Sequence, residues 1–253
     1  MVETSVEVNG LHTAYGKHQV LDNLTVAPLT SGKVVGLLGP NACGKSTLLK
    51  TIAGVHKPQL GTVRVTLNGK QIAPKEHFRH IGYVPQDLPG SAALTAFETV
   101  MVSASRDSSS HGVENLAAEV MCDLKISHLA HRYLSELSGG QRQMVAFAQM
   151  LVAKPAVMLL DEPTSALDLN KQLFLLAQVR EQVRATGALA LVAIHDINLS
   201  ARFCDELLVM KEGTLQAQGS PRDLLTPELL RAVFEVETEI LHHGDTPVIA
   251  TVS

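Results

Sequence analysis

Residues 33 to 51 read Lys-Val-Val-Gly-Leu-Leu-Gly-Pro-Asn-Ala-Cys-Gly-Lys-Ser-Thr-Leu-Leu-Lys-Thr, a stretch whose residue types suit the gripping of a polyphosphate. The apolar run Val34 to Leu38 reads as a buried strand, and Ser46 onward has the apolar spacing of a helix. Between them lies Gly39-x-x-x-x-Gly44-Lys45-Ser46, with Pro40, Asn41, Ala42 and Cys43 filling the loop and Thr47 following it. Glycines let a backbone turn tightly enough for successive N–H groups to point at one anion. The helix behind the loop adds its unpaired N–H groups and the positive end of its dipole. Lys45 supplies a full charge, and the Ser46 hydroxyl is suited to ligating Mg²⁺. The loop is therefore expected to bind a nucleoside triphosphate.

A second group of polar residues stands at the ends of apolar runs. Val157-Met158-Leu159-Leu160 delivers two adjacent carboxylates, Asp161 and Glu162. Adjacent residues at a strand exit point in different directions, so two roles are natural. Asp161 can hold Mg²⁺, directly or through water, and Glu162 can polarise a water against the terminal phosphate. The run Ile81 to Val84 is followed by Gln86, and Ala188 to Ile194 ends in His195. If these strands are parallel, their carboxyl ends share one edge, where open α/β sheets bind ligands. Leu137-Ser138-Gly139-Gly140-Gln141 opens a helical pattern and forms a second anion-binding helix start, more than one nucleotide needs.

The elements that must position these groups follow from pattern. Ser5 to Val8 and Gln19 to Val26 are strand-like, with Gly16 and Lys17 at the turn. Tyr15 sits at that turn and by itself reads as an ordinary core or surface tyrosine. Thr62 to Leu67 alternates like a strand and Asn68-Gly69 is its hairpin turn. From about Asp87 to Met150 the pattern is helical with polar loops, the Ser-rich stretch Ser103 to Ser110 being the clearest loop. Strand pattern resumes at Ala156 to Leu160, a helix runs from about Leu169 to Ala185, and Gly187 stops it. Leu207 to Met210 and Thr214 to Ala217 make a hairpin around Gly213, helical pattern covers Pro221 to Phe234, and the tail from His242 reads as loosely structured.

Composition bounds the possibilities. A chain of 253 residues can bury a large core. Hydrophobic residues make up 45%, yet no stretch approaches the ~20 uninterrupted apolar residues of a membrane span. The N-terminus lacks the pattern of a signal peptide, and a cytosolic location is expected. A net charge of −4 without a basic block argues against nonspecific nucleic-acid binding. Cys43, Cys122 and Cys204 have no metal-ligand spacing and read as reduced thiols. Cys43 lies at a helix N-terminus, where thiolates are favoured, and is expected to be reactive.

In the order and type of these motifs the sequence resembles the ATP-binding subunits of ATP-binding-cassette transporters over nearly its whole length. Gly39 to Thr47 matches Walker A, Gln86 the Q-loop, Leu137 to Gln141 the signature and Val157 to Glu162 Walker B. Ser165-Ala166-Leu167-Asp168 matches the D-loop, His195 the switch histidine and Tyr15 the aromatic that stacks on adenine. The resemblance implies an α/β fold: a P-loop NTPase core with a mostly parallel sheet, an N-terminal antiparallel β-subdomain and an inserted α-helical subdomain. The core would span about 1–86 and 151–218, the helical subdomain about 87–150 and a C-terminal extension about 219–253. It also implies ATP hydrolysis in a head-to-tail dimer. Lys45, Ser46 and Asp161 would hold MgATP, Ser138, Gly139, Gly140 and Gln141 of a second copy would close over the γ-phosphate, and Asp168 would line the dimer interface. Glu162 would be the general base, His195 would orient water, and Gln86 would sense Mg²⁺ and couple to a membrane permease. Ala42 departs from the glycine common in the family, but the loop pattern requires only Gly39 and Gly44. The chain would lie on the inner face of the cell membrane through its permease, served indirectly by a substrate-binding protein. Gly219 to Thr226 and Leu229 to Val236 resemble subunits for iron–siderophore, haem or cobalamin uptake, and Leu94 to Val102 would receive the permease. The alternatives are a soluble cassette ATPase in translation or DNA maintenance, and a regulatory nucleotide-binding module.

Overall fold

The computed structural model describes residues 3–88, 93–104 and 112–252. The chain opens with β1 (Thr4–Tyr15) and β2 (His18–Thr30), antiparallel and longer than the sequence pattern suggests. Register shifts between Val8 and Leu11 interrupt the period-two alternation, which is why only parts of each strand are legible as such. Then follow β3 (Val34–Leu38), α1 (Lys45–Ile52), β4 (Leu60–Leu67) and β5 (Lys70–Ile72). Asn68 and Gly69 both have positive φ, as the two-residue turn between β4 and β5 demands. A four-residue helix, α2 (His77–His80), leads into β6 (Ile81–Val84). Helices α3 (Ala96–Ala104), α4 (Val113–Asp123) and α5 (Gly139–Val152) come next, then β7 (Val157–Asp161), α6 (Leu169–Thr186), β8 (Leu189–Ala193) and α7 (Ile197–Phe203). The remainder is β9 (Glu206–Lys211), β10 (Thr214–Gly219), α8 (Pro221–Leu224), α9 (Pro227–Phe234), β11 (Thr238–His243) and β12 (Thr246–Thr251).

Two sheets carry the site. The first, in order β2-β1-β4-β5, is antiparallel; the second, β10-β9-β3-β8-β7-β6, is parallel except for β10. Every residue of β3, β7 and β8 is buried, so these strands appear in sequence as continuous apolar runs rather than alternating ones. Alternate side chains nevertheless go to different cores. Val34, Leu38, Met158, Leu160, Ala190 and Val192 face Phe147 of α5 and Leu175, Leu176 and Val179 of α6. Val35, Leu37, Val157, Leu159, Leu189 and Leu191 face Leu48, Leu49 and Ile52 of α1 and the inner side of the first sheet.

Three sequence expectations are corrected here. Ser103 and Ala104 belong to α3 and are buried, because the serine content masks a helical apolar face; the rest of the Ser-rich stretch, 105–110, lies outside the described residues. The helical pattern from Pro221 to Phe234 is broken, since Pro227 disfavours a helical Thr226 before it, and Thr226 instead caps α9. The tail from His242 is not loose: β11 and β12 pair over their whole length. Their exposed, polar-rich faces hide the strand signal, and the hairpin is tied down from outside. Asn198 of α7 donates through Nδ2 to the Ile249 carbonyl at 3.1 Å and accepts from its N–H at 2.7 Å. Two such partly buried bonds are worth roughly 1–3 kcal/mol together. Asn198→Ala is therefore expected to loosen the hairpin by about that amount, read as faster limited proteolysis within residues 238–251 while cleavage elsewhere is unchanged.

Candidate nucleotide site

The loop between β3 and α1 is built for close backbone approach. Gly39 has φ 152° and Gly44 φ 105°; a Cβ on Gly39 would stand 2.2 Å from the Met210 carbonyl oxygen. Gly44 occupies the N-cap position of α1 and supplies no side-chain cap, leaving the first N–H groups of the helix without a side-chain acceptor. The buried Lys45 ammonium donates to the carbonyls of Gly39 at 2.7 Å and Pro40 at 3.0 Å. Ala42 adopts φ 61°, the left-handed conformation that a glycine would take freely. Cys43 is buried, and burial pushes its thiol up despite Lys45 nearby, so the expected activated thiolate is not formed.

The parallel register brings the other strand ends to this loop. The Ser46 hydroxyl donates to Asp161 Oδ1 at 2.8 Å, and Tyr83 of β6 donates to Oδ2 at 3.3 Å. Burial raises the Asp161 carboxyl above its ordinary value, the Ser46 and Tyr83 hydrogen bonds oppose that, and the neighbouring Glu162 charge adds to it. Glu162 turns away through φ 50°. Both of its oxygens are engaged: Gln86 Nε2 donates to Oε2 at 2.8 Å and His195 Nε2 stands 2.5 Å from Oε1. Gln143 of α5, buried, donates to Ser165 Oγ at 3.1 Å and lies 3.4 Å from the Glu162 carbonyl, bracing the turn that follows β7. A cavity of about 480 Å³ is lined by His18, Val20, the loop residues Asn41 to Thr47, Gln86, Glu162 and His195.

A loop of backbone donors, a lysine, the Ser46 hydroxyl and the Glu162 carboxylate thus share one cavity, with Asp161 buried behind Ser46. The family profile described as ABC transporter matches residues 21–165. The chain belongs to the ABC transporter family. It is 35% identical over 248 residues to the hemin import ATP-binding protein of Photobacterium damselae subsp. damselae, covering 95% of this chain and 93% of the relative. It is 35% identical over 265 residues to the ferric enterobactin transport ATP-binding protein of Escherichia coli K12, with 99% and 94% covered. Among solved structures, a chain of an inward-facing ABC transporter, described as of metal-chelate type, superposes with a TM-score of 0.81 at 27% identity, with 99% and 98% covered. The protein is accordingly an ATP-binding, ATP-hydrolysing subunit of an ABC transporter. Among the described residues no helix is long and apolar enough to cross a membrane.

Within this ABC subunit, several residues assigned from the family resemblance stand apart from the cavity. Ser138 caps α5, accepting from the Gln141 N–H at 3.3 Å, while Gln141 Oε1 accepts from the Ser138 N–H at 2.9 Å. Gly139 and Gly140 pack against Ala166, and Gly140 with Gln141 borders a different cavity of about 270 Å³. Asp168 caps α6 through the Lys171 N–H at 2.9 Å, which holds its carboxyl below the usual range. Tyr15 is half exposed and does not line the cavity, but its cross-strand partner His18 does. His18, Val20, Tyr83 and Gln143 were not identified by sequence. Tyr83 had a signal, a phenol in a short apolar run that ends beside Gln86; the others had none without the pairing of strands.

The residues present fit a hard divalent cation. Ser46 lines the cavity and Asp161 stands behind it within hydrogen-bond reach, so together they offer oxygen donors, and burial leaves the Asp161 charge short of compensation. Among the described residues no group of three or more His, Cys, Asp or Glu side chains converges as a metal cage. This donor set suits an ion that takes its other ligands from phosphate and water.

Two outcomes test these features. Left-handed alanine costs about 1–2 kcal/mol, against roughly 0.4–1 kcal/mol of unfolded-chain entropy lost by keeping alanine rather than glycine. Ala42→Gly is thus expected to stabilise the fold by roughly 0.5–1 kcal/mol in denaturant titration. For Asp161, the folded chain holds a proton more tightly than the unfolded chain. Its stabilising contribution is present at acid pH and lost as pH rises through the raised value. Asp161→Asn should therefore raise the denaturation midpoint at neutral pH in EDTA, not at acid pH, and abolish extra stabilisation by Mg²⁺ with ATP. A lower midpoint at neutral pH would contradict the burial argument.

Proposed function

We propose that this chain powers import of an iron–siderophore complex or a related metal chelate through separate membrane permease subunits, working as a head-to-tail pair. The cargo class is supported by the names of its relatives, which serve hemin and ferric enterobactin, and by the likeness to a metal-chelate type transporter. The same relatives favour transport over a soluble, non-transport ATPase. The paired mechanism is carried by one observation: Ser138, Gly139 and Gly140 lie outside the cavity formed by residues 41–47, Gln86, Glu162 and His195. Within one chain they have no access to bound phosphate, whereas a second copy can supply them.

In this reading Tyr15 stacks on the adenine, and backbone N–H groups of the loop after Pro40 with Lys45 hold the β- and γ-phosphates. Ser46 and Asp161 would hold Mg²⁺, which when bound would draw charge from the phosphate oxygens. Glu162 accepts the proton of the attacking water. His195 and Gln86, now on its two oxygens, orient that carboxylate and report its state, Gln86 toward the permease. Asp168 lines the face between copies. The permease holds the chain at the inner membrane surface, and a substrate-binding protein acts on the far side.

Glu162→Gln keeps the size and hydrogen-bonding reach of the side chain but cannot take a proton. It is expected to bind ATP with Mg²⁺ normally, to hydrolyse it roughly 10²–10⁴-fold more slowly, and to sediment as an ATP-dependent dimer. Wild-type turnover by the variant, or a monomer at saturating ATP, would defeat the mechanism. Cargo is tested separately, by uptake of hemin and ferric siderophores into vesicles holding the chain with its co-encoded permease.

A further inference from the structure

The turn that follows α1, at the end remote from the phosphate loop, bears an unassigned imidazole. His56 lies just after the helix, where its N–H donates to the Lys50 carbonyl at 3.1 Å, as does that of Val55 at 2.9 Å. Its ring meets Tyr15, with centroids 4.7 Å apart and planes tilted by 34°. Among the described residues His56 Nε2 is buried without a hydrogen-bond partner, so packing against neighbours, Tyr15 foremost, sets the ring's position. The loop carrying it is fastened to the strand that carries Tyr15: the Gln59 N–H donates to the His12 carbonyl at 2.8 Å, and His12 pairs with Leu60.

Tyr15 itself has little else to hold it. It ends β1 at the tip of a hairpin, it is 48% exposed, and its cross-strand partner His18 lines the nucleotide cavity. A stacking surface in such a place contributes fully only if its plane is fixed before the base arrives, because ordering an exposed side chain costs free energy on binding. Aromatic residues are scarce, 4% of the chain with no tryptophan, and no Phe, Trp or Tyr is among the residues lining the cavity.

We propose that His56 is a positioning residue for the nucleotide base, backing Tyr15 so that its ring is presented to adenine in one orientation. The inference rests on Tyr15 being the adenine platform. The phosphate loop and the base platform would then be set from opposite ends of α1, about 12 Å long, the platform through the turn that follows the helix.

Binding measured by calorimetry on the full chain, in EDTA to suppress hydrolysis, separates the possibilities. His56→Ala is expected to weaken ATP by about 3- to 10-fold, the range for loss of one aromatic pair, and to leave tripolyphosphate within about twofold of wild type. His56→Phe should restore ATP binding. Tyr15→Ala should weaken ATP at least as much as His56→Ala, and the double variant no more than Tyr15→Ala alone. If Tyr15→Ala leaves ATP binding unchanged, the platform assignment fails, and this inference with it. If Tyr15→Ala weakens ATP while His56→Ala does not, the platform stands and the role of His56 is wrong. Equal weakening of ATP and tripolyphosphate by His56→Ala would place its effect on the shape of α1 and overturn the proposal.

Discussion

Parallel pairing of β3, β8, β7 and β6 is the constraint from which the site follows. Leu37 stands beside Ala193, Ala193 beside Asp161, and Leu160 beside Val84, so the four strands end level with one another. Whatever follows each strand is then delivered to one edge: the glycine loop, His195, Glu162 and Gln86. A slip of one residue in any pair would send that strand's side chains to the opposite core. The burial of both faces makes the register expensive to change, and the chemistry inherits that precision.

Local free energy is sacrificed where the polar groups converge. Asp161 is held in a buried position beside another carboxylate, which disfavours its charged form, and Ala42 and Glu162 are held in left-handed conformations. Such departures persist only when the surrounding structure over-determines them. Here the surroundings are identifiable: Met210 and Leu21 crowd the glycines of the loop, and Gln143 and Ser165 brace the turn after β7. The same groups that cost stability in the isolated fold are those that a cation and a polyphosphate would satisfy.

Helix starts divide into two kinds. Helices α5, α6, α7 and α9 begin with Ser138, Asp168, Asp196 and Thr226, each accepting a hydrogen bond from its own first turn. Helices α1 and α4 begin with Gly44 and Gly112 and have no such cap, and of the two α1 starts at the nucleotide cavity. An uncapped start facing a cavity keeps its donors for a ligand, whereas a capped start is stable without one. That difference separates the loop Gly39 to Thr47 from Ser138 to Gln141, whose helix start is already capped and which lies outside the cavity.

By itself the sequence determined the elements whose signals are local: the apolar runs of β3, β6, β7 and β8, the loop Gly39 to Thr47, and the polar residues at the strand exits. Buried parallel strands and glycine-bearing phosphate loops leave dense, contiguous signatures, and the family resemblance tied them to one chemistry. Tertiary structure decided what depends on partners distant in the chain. It turned an expected reactive Cys43 into a buried neutral thiol, drew Ser103 into a helix, and made a hairpin of a tail that looked loose because its anchors, Asn198 and Arg222 among them, lie elsewhere in the chain. It also placed Tyr83 on Asp161, Gln143 under Glu162 and His56 against Tyr15. These contacts join residues 19 to 78 positions apart, and no short window of sequence contains them.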